Sequence, residues 1–201
     1  STLIYNLKKN NFETIAHSAS SPADVSFNIK NFDQVRFYIN KIKPNIIINL
    51  IALTDVDFCE KNKHDAFLIN SESVRTITRC CEDLKDPYFI HISTDHVYNH
   101  PGLSKENNIN IINHYAKTKF EGEKHALNTK SICLRTNFFG RSYSVKKKSF
   151  SDWVVSNFKE KKNFTLFDDV IFNPLSMETL SKIITNLIFN QKVGVFNVGS
   201  K

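Results

Sequence analysis

Short apolar runs, each about one strand long, alternate along this chain with longer stretches that are apolar on one face only. "NIIINLIAL" (Asn45 to Leu53) is apolar at successive positions, so a strand made from it has two faces to bury. "YFIHIS" (Tyr88 to Ser93), "SICLRT" (Ser131 to Thr136) and "GVFNVGS" (Gly194 to Ser200) read the same way. Ala66, Asn70, Val74, Ile77, Cys81 and Leu84 recur at steps of three and four, which puts them on one helix face. Further helices are predicted over Asn113 to Leu127, around Trp153, Val154, Asn157 and Phe158, and around Leu180, Ile183, Ile184 and Leu187. Pro44 and Pro87 mark the boundaries before the first two strands. Strand and helix in alternation predict a doubly wound α/β fold with a parallel sheet.

Composition narrows the partners. The 201 residues carry a formal charge of +7, but the basic residues are scattered and the one tight run is Lys146 to Lys148. This argues against a nucleic acid partner and suits an anionic ligand such as a nucleotide. No apolar run approaches the ~20 residues that span a bilayer, so no membrane partner is expected. "STLIYNLKKNNF" is no signal peptide. Cys59, Cys80, Cys81 and Cys133 lack disulfide or zinc spacing, and reduced thiols in a cytoplasmic protein are the simplest expectation. His91, His96 and His114 have no metal-ligand spacing, and no metal site is expected.

Ligands of such folds bind at the carboxyl ends of the strands. Those ends here are "ALTDVD" (Ala52 to Asp57), "STDHVY" (Ser93 to Tyr98) and "TNFFG" (Thr136 to Gly140), all polar. Just beyond lies "NHYAKTKFEGE" (Asn113 to Glu123). Tyr115 and Lys119 are four residues apart and share a helix face. An ammonium beside a phenol is expected to lower its pKa from ~10 and make it a usable acid or base. Such a pair protonates a carbonyl oxygen as hydride arrives, and Ser93 or Thr94 can supply a further donor to that oxygen. The pair alone is weak evidence, since six tyrosines yield about 0.7 chance matches in a chain this rich in lysine.

The combination is more specific. "HISTDHVY", "YAKTKFEGE" and "LRTNFFG" follow in order, with Thr94 and Tyr115 21 residues apart. They resemble the "STDYVF", "YGxTKxxGE" and "RTSWVY" segments of the extended short-chain dehydrogenase/reductase superfamily. Within it, the resemblance is to dTDP-4-dehydrorhamnose reductase and related sugar-nucleotide reductases. "KPNIIINLIALTDVDFCE" and "FDDVIFNPLSMETLSKII" also match that family's patterns, so the resemblance runs through nearly the whole chain.

The resemblance implies NAD(P)H-dependent reduction of a nucleotide-linked 4-keto-6-deoxy sugar, for polysaccharide precursors. Tyr115 would be the general acid, Lys119 the lysine that holds the nicotinamide ribose, and Thr94 the carbonyl-binding hydroxyl. Asp95 and Phe138 would touch substrate. Asn28, Ile29, Ala52, Leu53, Thr54 and Ile92 would line the dinucleotide, which is NADP or NAD. A homodimer is compatible with this. An epimerase or dehydratase on the same scaffold, or a non-catalytic sugar-nucleotide-binding subunit, are the alternatives. Bland roles compete at several positions. Asp55 and Asp57 suit a turn and a helix start, Phe138 suits core in a chain with 17 phenylalanines, and Asn70 suits backbone hydrogen bonding.

The family's opening strand and GxxGxxG turn, which hold a pyrophosphate, have no match here, where the first glycine is Gly102. The chain opens on what resembles the helix after that turn and then the second strand. A chain shortened at its start is the expectation, as is a similar shortfall after "NVGSK". Residues 1–140 are then read as a Rossmann-like NAD(P)-binding domain lacking its first strand, and 141–201 as part of a smaller substrate-binding region with a returning helix and strand. "AHSAS" has no acid to favour a free ribose 2′-OH, which leans toward NADP.

Overall fold

A computed structural model describes residues 1–19, 22–100, 102–142, 149–165 and 172–200. Helix α1 (Thr2–Lys9) starts where the Ser1 hydroxyl accepts the Ile4 N–H, and it turns Leu3 and Leu7 inward. Two short strands, β1 (His17–Ser18) and β2 (Val25–Ser26), pair in parallel. Helix α2 (Phe32–Ile42) is capped by Asn31 and ends at Lys43 in the left-handed region, directly before Pro44.

The second sheet has five parallel strands. They are β3 (Ile46–Asn49), β4 (Tyr88–Ile92), β5 (Ser131–Phe139), β6 (Pro174–Ser176) and β7 (Gly194–Val198). In register, Ile48 faces Ile90 and Ile90 faces Ile132. On the far side of β5, Leu134 faces Phe196 of β7, and Phe138 faces Leu175 of β6 further along. Strand β4 is buried throughout, as a two-faced apolar run must be.

Strand β3 departs from expectation. It spans four residues rather than the whole of Asn45 to Leu53, and only Asn49 is fully buried. Among the described residues it pairs with β4 alone. The β1–β2 ladder and the five-stranded sheet are separate among the described residues.

Helices cover both faces. On one, Leu3 and Leu7 of α1 and Leu180, Ile184 and Ile188 of α8 (Met177–Asn190) cluster with Ile90, Ile132 and Leu134. On the other, Val35 of α2 and Val74, Ile77 and Cys81 cluster with Phe89 and Cys133. The latter segment breaks once, at Asn62, and then runs on without interruption. It runs as α3 (Val56–Lys61), α4 (Lys63–Phe67), a π-helical turn (Leu68–Glu72) and α5 (Ser73–Asp83). The periodicity through Ala66, Asn70, Val74, Ile77 and Cys81 holds, and the π turn is what sequence spacing does not reveal.

Helix α6 (His114–Ala126) matches its predicted span, with the Asn113 side chain accepting the Ala116 N–H. Helix α7 (Phe150–Lys159) opens on a reciprocal Ser149/Asp152 cap. None of its residues is fully buried, although the predicted positions lie on it. All four cysteines are free and buried, and among the described residues no helix is long and apolar enough to cross a membrane.

Candidate active site

Helix α6 crosses the sheet beside the carboxyl ends of β4 and β5, and Gly122 sets how close it comes. A Cβ there would lie 2.4 Å from the Asn70 carbonyl oxygen, so only glycine permits the approach to the π turn. That turn aims the Asn70 side chain at the loop after β3. Its Oδ1 accepts the Leu53 N–H at 2.8 Å, and its Nδ2 donates to the Leu53 carbonyl at 3.1 Å and to Thr118 Oγ1 at 3.1 Å. The loop Ile51 to Asp55 is thereby fixed without strand pairing, and the bland role expected for Asn70 is what the geometry delivers. Asp55 likewise caps α3 by accepting the Phe58 N–H.

A cavity of about 320 Å³ opens at this rim. Ala52, Thr54, Ile92, Thr94, Asp95, Tyr115, Lys119 and Phe138 line it, so eight of the sequence-predicted positions converge. Three do not reach it. Ile29 is buried in the core with Val35, Asn28 caps the Lys30 N–H, and the Leu53 backbone is taken by Asn70. Leu50, Ser93, His96, Thr136 and Asn137 also line the cavity. A wider groove of about 1400 Å³ shares Asp95, His96, Asn137 and Phe138 and runs on past Gly140 and Phe150.

The two candidate hydroxyls of β4 have different partners. Ser93 donates to Glu123 Oε1, inside the protein. Thr94 accepts the His96 N–H at 3.2 Å and lines the cavity beside Tyr115, where it pulls the phenol's pKa down. The choice left open by sequence falls to Thr94, because Ser93 is spoken for.

The phenol of Tyr115 behaves contrary to expectation. Burial pushes its pKa up, and Thr94 offsets this only in part. Its ring packs on Cys59 and Ala66, with His96 edge-on at 5.5 Å. The Lys119 ammonium donates instead to the Ile92 carbonyl at 2.6 Å. Lys119 is 1% exposed, and burial pulls its pKa down to about 8 against the opposing pull of Glu123 and Cys133. Tyr115 is therefore a protonated phenol at neutral pH, suited to giving a proton rather than taking one.

Behind the pair lies a cluster that sequence reading missed. Arg135 of β5 is 3% exposed and Glu123 of α6 1% in their side chains, and they pair at 2.6 Å. Arg135 Nη1 also donates to Tyr98 Oη at 2.7 Å and to the Glu106 carbonyl at 2.6 Å. Spacing carried a signal: Glu123 lies four residues past Lys119, and Arg135 two past Cys133 on the same strand face. His91, in contrast, sits wholly buried with Nδ1 3.2 Å from Asn49 Nδ2, and burial and Lys119 hold it neutral. Asp95 Oδ1 is buried without a hydrogen-bond partner among the described residues.

The model of one protein family, the RmlD substrate binding domain, matches residues 1–200. This chain belongs to that family. Among its relatives, dTDP-4-dehydrorhamnose reductase of Escherichia coli is 29% identical over 181 residues, covering 86% of this chain and 57% of the relative. A probable low-salt glycan biosynthesis reductase of Haloferax volcanii is 28% identical, over 86% of this chain and 60% of the relative. The chain thus spans under two thirds of the length of these relatives. A hypothetical dTDP-4-dehydrorhamnose reductase from Sulfolobus tokodaii superposes with a TM-score of 0.88 at 32% identity, covering 99% of this chain and 72% of that one. The dTDP-4-dehydrorhamnose reductase of Bacillus anthracis, solved in complex with NADP, gives 0.79 at 27% identity, over 87% of this chain and 63% of that one. The parallel α/β architecture expected from sequence is the architecture of these structures.

Proposed function

We propose that this chain forms the catalytic part of an NAD(P)H-dependent reductase acting on a nucleotide-linked 4-keto-6-deoxy sugar, dTDP-4-dehydrorhamnose or a close analogue. The observation that carries it is the convergence of Tyr115, Thr94 and Lys119 on one cavity at the carboxyl ends of parallel strands. Family membership and the reductase names of the relatives support it.

The residues present fit a nicotinamide ribose. Lys119 uses one of its three N–H donors on Ile92, which leaves donors for ribose hydroxyls, and Ala52 and Thr54 flank it on the cavity wall. The reduced nicotinamide supplies the hydride; everything else falls to the protein. Thr94 donates a hydrogen bond to the keto oxygen, which polarises the carbonyl and holds it against Tyr115. Tyr115 gives its hydroxyl proton to that oxygen as negative charge develops there. The phenolate left behind is costly in so buried a place, and the Lys119 ammonium on the same helix face offsets part of that cost. Asp95 Oδ1, without a partner, accepts a sugar hydroxyl, and Phe138, 45% exposed at the groove, offers a ring face to the substrate. NADP over NAD is favoured by the Bacillus anthracis relative's bound cofactor and by the acid-free end of β1. The NAD(P)-binding role of residues 1–140, a homodimer and a cytoplasmic setting belong to the same proposal.

The test is Tyr115→Phe in the complete gene product, assayed by NADPH consumption with dTDP-4-keto-6-deoxy sugar. A loss of about 10²-fold or more in kcat is expected; unchanged kcat overturns the proposal. Stoichiometric NADPH consumption also separates a reductase from an epimerase or dehydratase, which return the cofactor unchanged.

A further inference from the structure

Thr94 must stay on Tyr115 for the proposed chemistry, yet it lies past the end of β4, where no ladder holds it. What brackets it is a polar chain, buried at its Glu123–Arg135 centre. On one side, Ser93 Oγ–H donates to Glu123 Oε1. Glu123 in turn takes Arg135 Nε–H at 3.0 Å and 3.2 Å and Nη2–H at 2.6 Å. On the other side, Arg135 Nη1–H donates to Tyr98 Oη, and Tyr98 donates to Asn197 Oδ1 at 2.6 Å. The segment between Ser93 and Tyr98 contains Thr94, Asp95, His96 and Val97, and both its ends lead to one carboxylate. Glu123 sits on α6, two turns below Tyr115 on the same helix. The helix that carries the phenol therefore also anchors the segment that carries its partner.

We propose that the Ser93–Glu123–Arg135–Tyr98 chain is a clamp of positioning residues that holds Thr94 and Asp95 in register with Tyr115. A buried ion pair is a poor source of net stability but a good device for fixing one arrangement. The satisfaction of both Glu123 oxygens and the Arg135 fork by four separate elements of the fold fits that use. The groups facing the pair are Lys119 and Cys133 beside Glu123, and Glu106, Tyr98 and Phe120 beside Arg135, the two rings lying 5.4 Å and 5.8 Å from the guanidinium carbon.

The clamp rests on the reductase function in one respect only, its effect on turnover, so the experiment includes a readout independent of it. Ser93→Ala and Tyr98→Phe each delete one hydroxyl and leave the ion pair. In the complete protein, the phenol of Tyr115 is titrated by ultraviolet absorbance, as the difference between each variant and the same variant carrying Tyr115→Phe. Withdrawal of the Thr94 hydroxyl from the phenol is expected to move that titration to higher pH in both variants, since Thr94 favours phenolate. Turnover is expected to fall about tenfold with KM for NADPH unchanged, as for a misplaced rather than a missing group. A titration that stays put in both variants overturns the clamp, whatever happens to turnover or melting temperature. A Tyr115→Phe protein with full reductase activity overturns the reductase function, while the titration still decides the clamp.

Discussion

Tyr115 and Lys119 carry opposite shifts, and the direction of each has a use. The phenol is pushed up by burial, so it arrives protonated at the step that needs a proton. The amine is pulled down to about 8, so its charge is lost within reach of ordinary assay pH. Activity that depends on the ammonium is present below pH 8 and lost as pH rises through it. A kcat profile with an alkaline limb near pH 8 is therefore expected, and it moves to lower pH in Glu123→Gln, because Glu123 supports the Lys119 charge. Stability follows a separate sign. The folded pKa of Lys119 lies below its ordinary 10.5, so between about 8 and 10.5 the unfolded chain binds the proton more tightly. Wild type should accordingly gain stability relative to Lys119→Met as pH climbs through that window, measured by urea titration at each pH. The sequence put Tyr115 and Lys119 on one helix face because four-residue spacing is local geometry. It did not give the sign of the phenol shift, because burial under Cys59 and Ala66 is set by helices dozens of residues away.

The contact between α6 and the π turn carries a heavier demand than either helix alone. Gly122 is required by the Asn70 carbonyl 2.4 Å from where a Cβ would stand. Gly122→Ala gains helix propensity but forces the two apart, and a net loss of about 1–3 kcal/mol is expected in chemical denaturation. Because Asn70 holds both backbone groups of Leu53, the same variant should weaken dinucleotide binding through the Ala52 to Thr54 loop. Intact affinity with reduced stability would mean that the loop does not depend on that contact. Four helices were legible from periodicity, among them α6 over Asn113 to Leu127 and α8 around Leu180 to Leu187, whereas α2 was not read. The π turn was not, since the inserted residue shifts the phase by less than the tolerance of a three-and-four pattern.

Across the whole molecule, the Glu123–Arg135 pair joins α6 and β5 to the β4 end, and through Tyr98 to β7. Arg135→Ala leaves a buried carboxylate uncompensated, and a loss of about 3–5 kcal/mol is expected, much of it recovered when Glu123→Ala is added. Deleting core volume gives a contrasting loss: Leu134→Ala, at zero exposure in the cluster with α1 and α8, should cost about 2–5 kcal/mol with no such rescue. Denaturant midpoints of the three variants separate the two mechanisms. By itself the sequence determined the parallel strands, the amphipathic helices and the polar strand ends, because side-chain periodicity is imposed by neighbours along the chain. It also brought eight expected positions to one cavity. Only the tertiary structure decided that Thr94 rather than Ser93 meets the phenol, and that Asn28, Ile29 and Leu53 stay outside the cavity. Those outcomes depend on which distant groups compete for each donor and acceptor, and that competition exists only once the chain has folded.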